Sequence, residues 1–398
     1  PTRRSSDLDA MASIVIIGGG PSGMMAAIAA KTKYPQAEVI ILERNKVLGM
    51  KMKLTGGGRC NVTAQMPIDE VIDYIPKNGK FLYSALSAFG PQQIIQFFES
   101  NGCPLKMEDH MRMFPKSDKA QDIVYTLDKK LISLGIKIYY EQLVESVLPK
   151  DKKVVTTTKT YSYSHLIIAT GGIALPQSGS DGKGHTFAKT VGHEITALIP
   201  AEVPLVSNDH SIQSKALQGL SFKDVDVKIF DNNKLKKTIR HDLLITHFGL
   251  SGPAALRASF YVLNLLEKYQ TPVKIKVDFI PTISLNDLLI LKEEAKDNLL
   301  KEQGIPKRLL DYMSDEKLPI EILKNFEFTI YTTRGWSQAF VTNGGVSIKE
   351  VDPKTMQSKI DKSISFCGEV LDVNAFTGGF NITMAFATGH AAGSNVII

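Results

Sequence analysis

Three glycines and one acid near the start of the chain have the spacing of a nucleotide site. Gly18, Gly20 and Gly23 are followed 20 positions later by Glu43. In such a turn the first glycine permits a tight bend, the second lets backbone approach a pyrophosphate, and the third lets helix pack on strand. A carboxylate at position 43 accepts ribose hydroxyls and repels a 2′-phosphate. The pattern predicts a dinucleotide site; the alternative is a glycine turn with an acid there by chance.

A second glycine-rich segment, 49–61, follows directly. Its glycines, Gly58 among them, expose N–H groups in a concavity suited to anions, and Lys51 and Arg59 add positive charge. We expect this segment to line the cofactor, the alternative being a flexible surface loop. Cys60 has no cysteine near it in sequence, so we expect it to pack or line the cofactor and not to act as a redox thiol.

Two further glycine turns follow apolar runs later in the chain. Thr170 and Gly171 end one such run, where the carboxyl edge of a sheet would meet a dinucleotide. Glu369, after Gly368, can bind the hydroxyls of a sugar-like chain. Gly378-Gly379 then opens a helix, whose dipole would stabilise negative charge on a reduced flavin ring. An ordinary capped helix is the alternative, and the earlier motifs favour the flavin.

His247, in the segment 246–253, is the one candidate acid or base. A structural histidine is the better supported interpretation of this residue. Ser251 precedes Gly-Pro and can cap a helix. Because the segment lacks Gly-x-Ser-x-Gly, a hydrolase triad is not expected.

These residues need a framework of strands and helices. Apolar runs at 13–17, 39–42 and 166–169 predict buried parallel strands, and small residues over 21–30 predict a helix. Strand, glycine turn, helix and strand form a βαβ unit. From about residue 200, strand-like segments precede a Leu-, Lys- and Glu-rich helical stretch at 284–325, which predicts an inserted domain, part barrel-like sheet and part helical. A last helix is predicted from about 381 to 395.

Composition excludes several classes of protein. The 398 residues suggest two or three domains, and three scattered cysteines argue against disulfides and zinc, so no metal site is expected. A reducing cytoplasm fits best. No apolar run reaches the ~18 residues of a membrane span, and no secretory signal is present. Residues 1–10 predict a leader foreign to the fold, with Met11 as the natural start.

Basic residues cluster between positions 223 and 240, although the net charge is only +6. A nucleic-acid groove would need broader basic coverage with interleaved aromatic residues. We therefore expect a solvated face, and nucleic acid is not an expected partner. The cluster consists of Lys223, Lys228, Lys234, Lys236, Lys237 and Arg240.

The ordered set of motifs resembles the BaiN-type FAD-dependent oxidoreductases, a bacterial flavoprotein group that includes aminoacetone oxidase-like members. The resemblance spans residues 12–398, and its most specific pair is TGGGRCNVT with EVLDVNAFTGGFN. It implies a glutathione-reductase-like, Rossmann-type FAD domain of α/β class, split into 11–195 and 336–398, with a β-barrel-plus-helical insert at 196–335. Thr55 replaces the usual serine before the glycine run. Thr332–Trp336 matches no pattern of the family that we can place.

The resemblance also implies roles for individual residues. For the ADP half these are Gly18, Gly20, Ser22, Gly23, Glu43 and Arg44, with the Val144 backbone meeting the adenine. Along the pyrophosphate and flavin they are Lys51, Thr55, Gly58, Arg59, Cys60 and Asn61, flanked by Thr170 and Gly171. For the ribityl chain and ring they are Gly368, Glu369, Gly378, Gly379, Asn381 and Thr383.

The main hypothesis is an FAD-dependent oxidoreductase that passes hydride between flavin N5 and a small organic substrate. Reduction of a conjugated C=C with NADH or NADPH as a transient donor is one form of it. Residues 200–330 contain no second Gly-x-Gly-x-x-Gly, so such a donor would bind without that fingerprint. An FAD-containing RNA-modifying protein and a non-catalytic flavin-binding protein are the alternatives. Substrate, electron donor, proton donor and oligomeric state stay open.

Overall fold

The computed structural model describes residues 12–398, so the predicted leader at 1–10 lies outside the described residues. The chain divides into two compact units. The discontinuous unit comprises the described residues up to Ile199 together with Val341–Ile398, and the inserted unit is Pro200–Phe340. Both boundaries of the insert lie a few residues after the predicted positions 196 and 335.

The strands in chain order are β1 (Ser13–Ile17), β2 (Glu38–Leu42), β3 (Thr63–Ala64), β4 (Leu105–Met107), β5 (Arg112–Pro115), β6 (Lys137–Tyr139), β7 (Val144–Leu148), β8 (Lys153–Thr156), β9 (Thr160–Ser162), β10 (His165–Ile168), β11 (Ile199–Ala201), β12 (Leu205–Ser207), β13 (Ser221–Asp231), β14 (Lys234–Ile245), β15 (Gly249–Ser251), β16 (Val273–Asp278), β17 (Phe326–Thr333), β18 (Val341–Asn343) and β19 (Ile364–Phe366). The α-helices are α1 (Pro21–Lys33), α2 (Ile68–Asp73), α3 (Tyr83–Ala88), α4 (Pro91–Ser100), α5 (Ala120–Ser133), α6 (Lys183–Val191), α7 (His210–Gln213), α8 (Gly252–Tyr269), α9 (Leu285–Ile290), α10 (Glu293–Glu302), α11 (Lys307–Asp315) and α12 (Phe380–Ser394).

A five-stranded parallel sheet in the order β19-β10-β1-β2-β6 organises the discontinuous unit. In β1, Ile14 lies between Val39 of β2 and His165 of β10. The central strands are almost completely buried, as expected for a parallel sheet that is covered on both faces. The predicted buried strands and the βαβ unit are therefore confirmed.

Helices α1 and α12 pack against each other through small residues. A Cβ built on Gly389 would lie 2.3 Å from the Ser22 carbonyl oxygen, and one on Gly393 would lie 2.1 Å from that of Ala26. Only glycine permits this approach, and the contacts advance in the same sense along both helices. Gly389 is the tenth residue of α12 and Ser22 the second of α1, so α12 begins eight residues, about 12 Å, before α1 along their common direction.

Two small antiparallel sheets complete the discontinuous unit, β7-β8-β9 and β3-β5-β4. The first is a meander, because its strands follow one another directly in the chain. Helices α3, α4 and α5 belong to the same unit.

The inserted unit is a closed six-stranded barrel in the order β12-β15-β14-β13-β16-β17, with helices α8 to α11. Phe222, Phe279, Phe326 and Phe328 fill its core. The barrel-plus-helical prediction is confirmed, but β14 was missed, because its exposed first half, Lys234–Thr238, has no buried-strand pattern. Asn232 and Asn233, both with positive φ, form the β13–β14 turn, as two-residue hairpins require. Within residues 12–398 no helix is both long and apolar enough to cross a bilayer.

Candidate cofactor-binding site

The turn between β1 and α1 gives each glycine of the first motif a separate role. A Cβ on Gly18 (φ +110°) would lie 2.3 Å from the Ala169 carbonyl oxygen, and one on Gly23 would lie 1.9 Å from that of Gly18. Neither position therefore accepts a side chain. Gly20 differs, because nothing lies within 4 Å of a Cβ built on it. Gly20 precedes α1 and leaves open space at the helix N-terminus, where an anion would bind.

The first turn of α1 carries no acidic residue, so nothing competes for its free N–H groups. Ser22 is 5% exposed, and its hydroxyl would lie 2.5 Å from a Cβ built on Gly368. The sequence places these two residues in separate motifs, and the fold brings them together beside α1.

Glu43, at the end of β2, is a buried carboxylate held by backbone. Its Oε2 accepts a hydrogen bond from Gly19 N at 2.8 Å, and its Oε1 accepts one from Asn45 N at 2.7 Å. Burial raises the pKa of this carboxyl, and the two N–H groups oppose that rise. Each oxygen keeps a lone pair, so the group can still accept the ribose hydroxyls that the sequence pattern predicts.

Arg44 anchors the loop that follows β10. Its Nη1 donates to the Gly179 carbonyl at 2.9 Å and pairs with Asp181 at 2.6 Å. Asn45 donates to the Ser178 carbonyl in the same loop. These contacts give Arg44 a structural role next to the predicted adenosine site. Its own contact with a cofactor stays a prediction.

Lys51 and Glu369, predicted from motifs far apart in sequence, form a partly buried ion pair at 2.7 Å. The other oxygen of Glu369 accepts a hydrogen bond from Thr342 N at 2.7 Å. The Thr342 hydroxyl in turn accepts N–H groups of Ile173 and Ala174, just after the Thr170-Gly171 turn. Three glycine turns are thus tied together through Glu369 and Thr342. The sequence indicated a glycine turn here but gave no signal for Thr342 itself.

The glycine run 56–58 presents its backbone to open space. All three glycines have positive φ and are exposed, and nothing lies within 4 Å of a Cβ on Gly57 or Gly58. Thr55 supports the run by donating to the Met52 carbonyl. Such a run of N–H groups makes an anion-binding concavity.

Arg59 is already engaged. Its Nη1 lies 2.8 Å from Glu108 and 3.3 Å from Asp118, and its guanidinium lies 4.1 Å from the centre of the Phe114 ring. The hydrogen bond to Glu108 is the largest cause of a raised pKa at Arg59. The predicted phosphate grip would therefore have to compete with two carboxylates.

Cys60 and Thr383 require correction, because neither has any exposed surface. A residue that is fully covered in the chain by itself does not touch a bound molecule. The thiol of Cys60 is buried, which raises its pKa to about 12. The Thr383 hydroxyl bonds the Thr63 hydroxyl at 2.7 Å and donates to the Gly379 carbonyl at 2.8 Å. Both residues support the site from behind.

Asn381 also has a structural task. Its Nδ2 donates to the Ala375 carbonyl at 2.6 Å and its Oδ1 accepts from Ala375 N at 2.9 Å. The side chain thereby closes the loop that leads into α12. Only the main-chain N–H of Asn381, in the first turn of the helix, is left for the ring contact that the resemblance implied.

The N-terminus of α12 begins at two left-handed glycines, Gly378 (φ +125°) and Gly379 (φ +92°). Its first turn has no acidic residue. Asn61 lies against it, with its Oδ1 2.8 Å from a Cβ built on Gly379. That oxygen is buried and has no hydrogen-bond donor within residues 12–398, and the Thr170 hydroxyl likewise has no partner there. Buried polar atoms without partners are rare, and an ordered water is their ordinary partner.

Val144 begins β7 opposite Thr156 and is 4% exposed, so any contact with adenine would involve its backbone, as predicted. His247 belongs to the inserted unit and is exposed at the turn before β15. Its ring packs edge-on against Phe248 at 5.1 Å, and in the described chain the side chain makes no hydrogen bond or ion pair. The structure therefore offers no partner that would activate His247 as an acid or base.

One ion pair of the discontinuous unit escaped sequence analysis. Lys77 Nζ lies 2.8 and 2.9 Å from the two carboxylate oxygens of Asp372, which is buried. Lys77 also pairs with Asn374 through backbone, two residues beyond Asp372. Lys77 lay outside every glycine motif, so nothing in the sequence singled it out.

Comparison with known proteins places this geometry in a family. The model of the HI0933-like protein Rossmann domain matches residues 12–395. The chain is 30% identical to a 3-dehydro-bile acid delta(4,6)-reductase of Clostridium scindens, over 96% of this chain and 98% of that protein. It is 28% identical to a ribosomal RNA dihydrouridine synthase of Haemophilus influenzae, over 96% and 98%. The second name removes support from our expectation that nucleic acid is not a partner.

Solved structures agree on the fold. A quinol-fumarate reductase shares it with a TM-score of 0.53 at 17% identity, covering 96% of this chain and 70% of that one. A 3-ketosteroid delta1-dehydrogenase from Sterolibacterium denitrificans shares it with a TM-score of 0.52 at 11% identity, covering 96% and 98%. Because identity is this low, these likenesses concern the fold alone. The family match over residues 12–395, together with the 30% identical reductase, shows that the chain belongs to the HI0933-like Rossmann-domain family.

Proposed function

We propose that the discontinuous unit binds FAD and that the enzyme transfers hydride between the flavin and a small organic substrate. One observation carries the proposal. Gly20 opens onto free space at the N-terminus of α1, and the N-terminus of α12 lies about 12 Å before that point along the common direction of the two helices. Two positive helix ends in line suit a molecule with a pyrophosphate at one point and a ring that becomes negative at another.

The residues present fit FAD in kind. The N–H groups of α1 would hold the pyrophosphate, Glu43 the adenosine ribose, and Glu369 with Lys51 the ribityl hydroxyls. Bound FAD would supply the hydride acceptor or donor, and the N-terminus of α12 would favour its reduced, anionic state.

For the substrate we propose a conjugated C=C that is reduced at the expense of NADH or NADPH. The support is the 30% identity to a protein named as a bile-acid reductase. The residues between 200 and 330 carry no second dinucleotide fingerprint, so the nicotinamide donor would bind transiently. Three buried, free cysteines fit a reducing compartment, and we propose the cytoplasm.

The test begins with the colour of the purified protein. We expect a yellow protein that absorbs near ~450 nm, from which denaturation releases FAD. Anaerobic addition of NADH and NADPH in turn should bleach it with at least one donor, and an enone should restore the colour. A colourless preparation that does not take up added FAD would sink the proposal.

RNA modification is the second candidate, because two relatives at 28% identity are named ribosomal RNA dihydrouridine synthases. The basic cluster on β13 and β14 gives this candidate mixed support. Lys223, Lys234 and Lys237 are exposed and make no ion pair within residues 12–398, but three others are neutralised by acids, in the pairs Lys228–Asp278, Lys236–Asp231 and Arg240–Asp226.

Binding to ribosomal RNA that weakens steeply with salt would support this second candidate, since each phosphate contact contributes to the salt slope. Binding that is absent, or that does not depend on salt, would remove it. A non-catalytic flavin-binding role has lost support because the relatives are named as enzymes. A reduced flavin that no acceptor reoxidises would restore that role.

A further inference from the structure

Two segments that the proposed function leaves unused flank one strand of the barrel in the inserted unit. Strand β12 pairs with β15 on one side and with β17 on the other, so that Val206 lies between Gly249 and Thr332. Phe248, just before β15, hydrogen-bonds Ser207 through backbone, and Arg334, just after β17, hydrogen-bonds Pro204 through backbone. The two residues therefore start from opposite ends of β12, and their side chains meet.

Arg334 is held in one orientation on this surface. Its guanidinium carbon lies 4.8 Å from the centre of the Phe248 ring. Its Nε donates to Gln338 Oε1 at 3.2 Å, and Gly335 (φ +68°) fixes the turn between them. The residue is exposed, and its two terminal amino groups have no acceptor in the described chain. A stacked arginine with free amino groups is arranged to bind two oxygens of a carboxylate or a phosphate through two hydrogen bonds.

Other arginines of the described chain are used differently. Arg44, Arg59, Arg112 and Arg240 each bind a carboxylate. Arg308 donates to the Gln218 carbonyl. Arg334 is thus preorganised by a ring and an amide yet has no acid beside it.

The turn that carries Phe248 is also rigid. The Thr246 hydroxyl accepts hydrogen bonds from Phe248 N at 3.4 Å and Gly249 N at 3.1 Å. The exposed ring of His247 lies 5.1 Å from the Phe248 ring, in an edge-on arrangement. His247 and Arg334 therefore both flank one aromatic ring. Together the three form a surface with several N–H donors and no acid hydrogen-bonded to it, which we name the Arg334 patch.

We propose that the Arg334 patch binds an oxyanion of the substrate, a carboxylate or a phosphate, on a molecule that also carries a ring system. The guanidinium would bind the oxyanion, and its outer face together with Trp336, two residues along the same turn, would lie against the ring. This inference rests on the proposed function, because it specifies the chemical class of the substrate of that reaction. Two sources share the chemistry, an acidic steroid-like molecule and a nucleotide.

Trp336 makes the test direct, because it is the chain's single tryptophan. The full-length protein with its bound cofactor is titrated at low salt with cholate, with uridine monophosphate and with inorganic phosphate, and tryptophan fluorescence is followed. We expect saturable binding of one ring-bearing anion, at least tenfold tighter than inorganic phosphate. Tighter binding of cholate would indicate the carboxylate source, and tighter binding of the nucleotide the phosphate source.

Variants distinguish specific binding by the Arg334 guanidinium from general attraction of anions to positive charge. Arg334→Gln should weaken the binding at least tenfold, and Arg334→Lys should recover only part of it, since lysine keeps the charge but not the fork. Arg308→Gln, the loss of another exposed arginine in the same unit, should leave the binding unchanged. With an enone substrate that carries the preferred anion, Arg334→Gln should raise KM and leave kcat near its normal value.

Three results would overturn the inference. The first is that none of the three anions binds saturably, and the second is that all three bind with equal affinity. The third is that the Arg334→Gln variant binds the preferred anion as tightly as the unaltered protein. Equal affinity would mean non-specific anion binding only. These failures are distinct from failure of the proposed function, since a yellow, reducible protein with an inert Arg334 patch refutes the patch alone. A colourless protein refutes the flavin proposal instead.

Discussion

Replacement of Gly20 by alanine tests the cofactor site with little risk to the fold. Its backbone has φ −82° and ψ −174°, which alanine adopts freely, and a Cβ there meets nothing within 4 Å. Alanine lowers the entropy of the unfolded chain, a gain of about 0.4–1 kcal/mol. It is a poorer N-cap than glycine, a loss of about 1 kcal/mol. The free energy of unfolding should therefore change by less than about 1 kcal/mol.

Cofactor affinity should respond much more strongly. The added methyl group occupies the space through which a pyrophosphate would reach the N–H groups of α1. Hydrogen bonds to charged groups contribute about 1.5–3 kcal/mol each, so losing two costs about 3–6 kcal/mol. That loss corresponds to at least ~100-fold weaker FAD binding.

The assay is reconstitution of cofactor-free protein with FAD, followed by the quenching of flavin fluorescence, beside chemical denaturation. Gly102→Ala is the matched control, because Gly102 also faces open space but has φ +84°. The control should lose a little stability and keep normal affinity for FAD. If Gly20→Ala binds FAD as tightly as the unaltered protein, the assignment of the α1 N-terminus is wrong.

Three further predictions concern the discontinuous unit. Burial lowers the pKa of His165 to about 4 from 6.5, so the unfolded chain gains a proton first as pH falls, and between pH 6.5 and 4 this residue should cost about 3 kcal/mol of stability. Denaturation curves at both pH values should show a smaller loss for His165→Gln, and an equal loss would contradict the reasoning. Burial raises the pKa of Cys60 and Cys367 to about 12, so Ellman's reagent at pH 8 should modify neither until the protein unfolds; rapid modification of native protein would refute this. Gly389→Ala would force a methyl group to 2.3 Å from the Ser22 carbonyl oxygen and should cost about 1–3 kcal/mol, and an unchanged denaturation midpoint would rule out the close α1–α12 packing.

The sequence predicts those features that local residue types determine. Buried runs such as Ile14–Ile17 gave the parallel strands, and the positive φ of Gly18 and Gly379 agrees with the turns expected there. Strand β14 was missed because exposed lysines in its first half hide the alternation that marks a strand. Its place in the sheet comes from pairing with β13, which is a tertiary property.

Side-chain partners far apart in sequence are the part that spacing does not reveal. Lys51 and Glu369 are 318 positions apart, and Lys77 and Asp372 are 295 apart. Each residue alone is an ordinary charged side chain on a loop. For the same reason Asn381 and Thr383 were expected to face the cofactor, whereas their side chains bind neighbouring backbone and a buried threonine.

The close packing of α12 on α1 bears on the order in which the chain folds during synthesis. Strand β1 and helix α1 are made before the inserted unit, whereas the edge strand β19 and the covering helix α12 are made after it. The inserted barrel, complete by residue 340, is free to fold before the parallel sheet has gained its edge strand β19. Cofactor uptake is then expected only after β19 and α12 have been made, and nascent chains stopped shortly before residue 364 should not retain FAD.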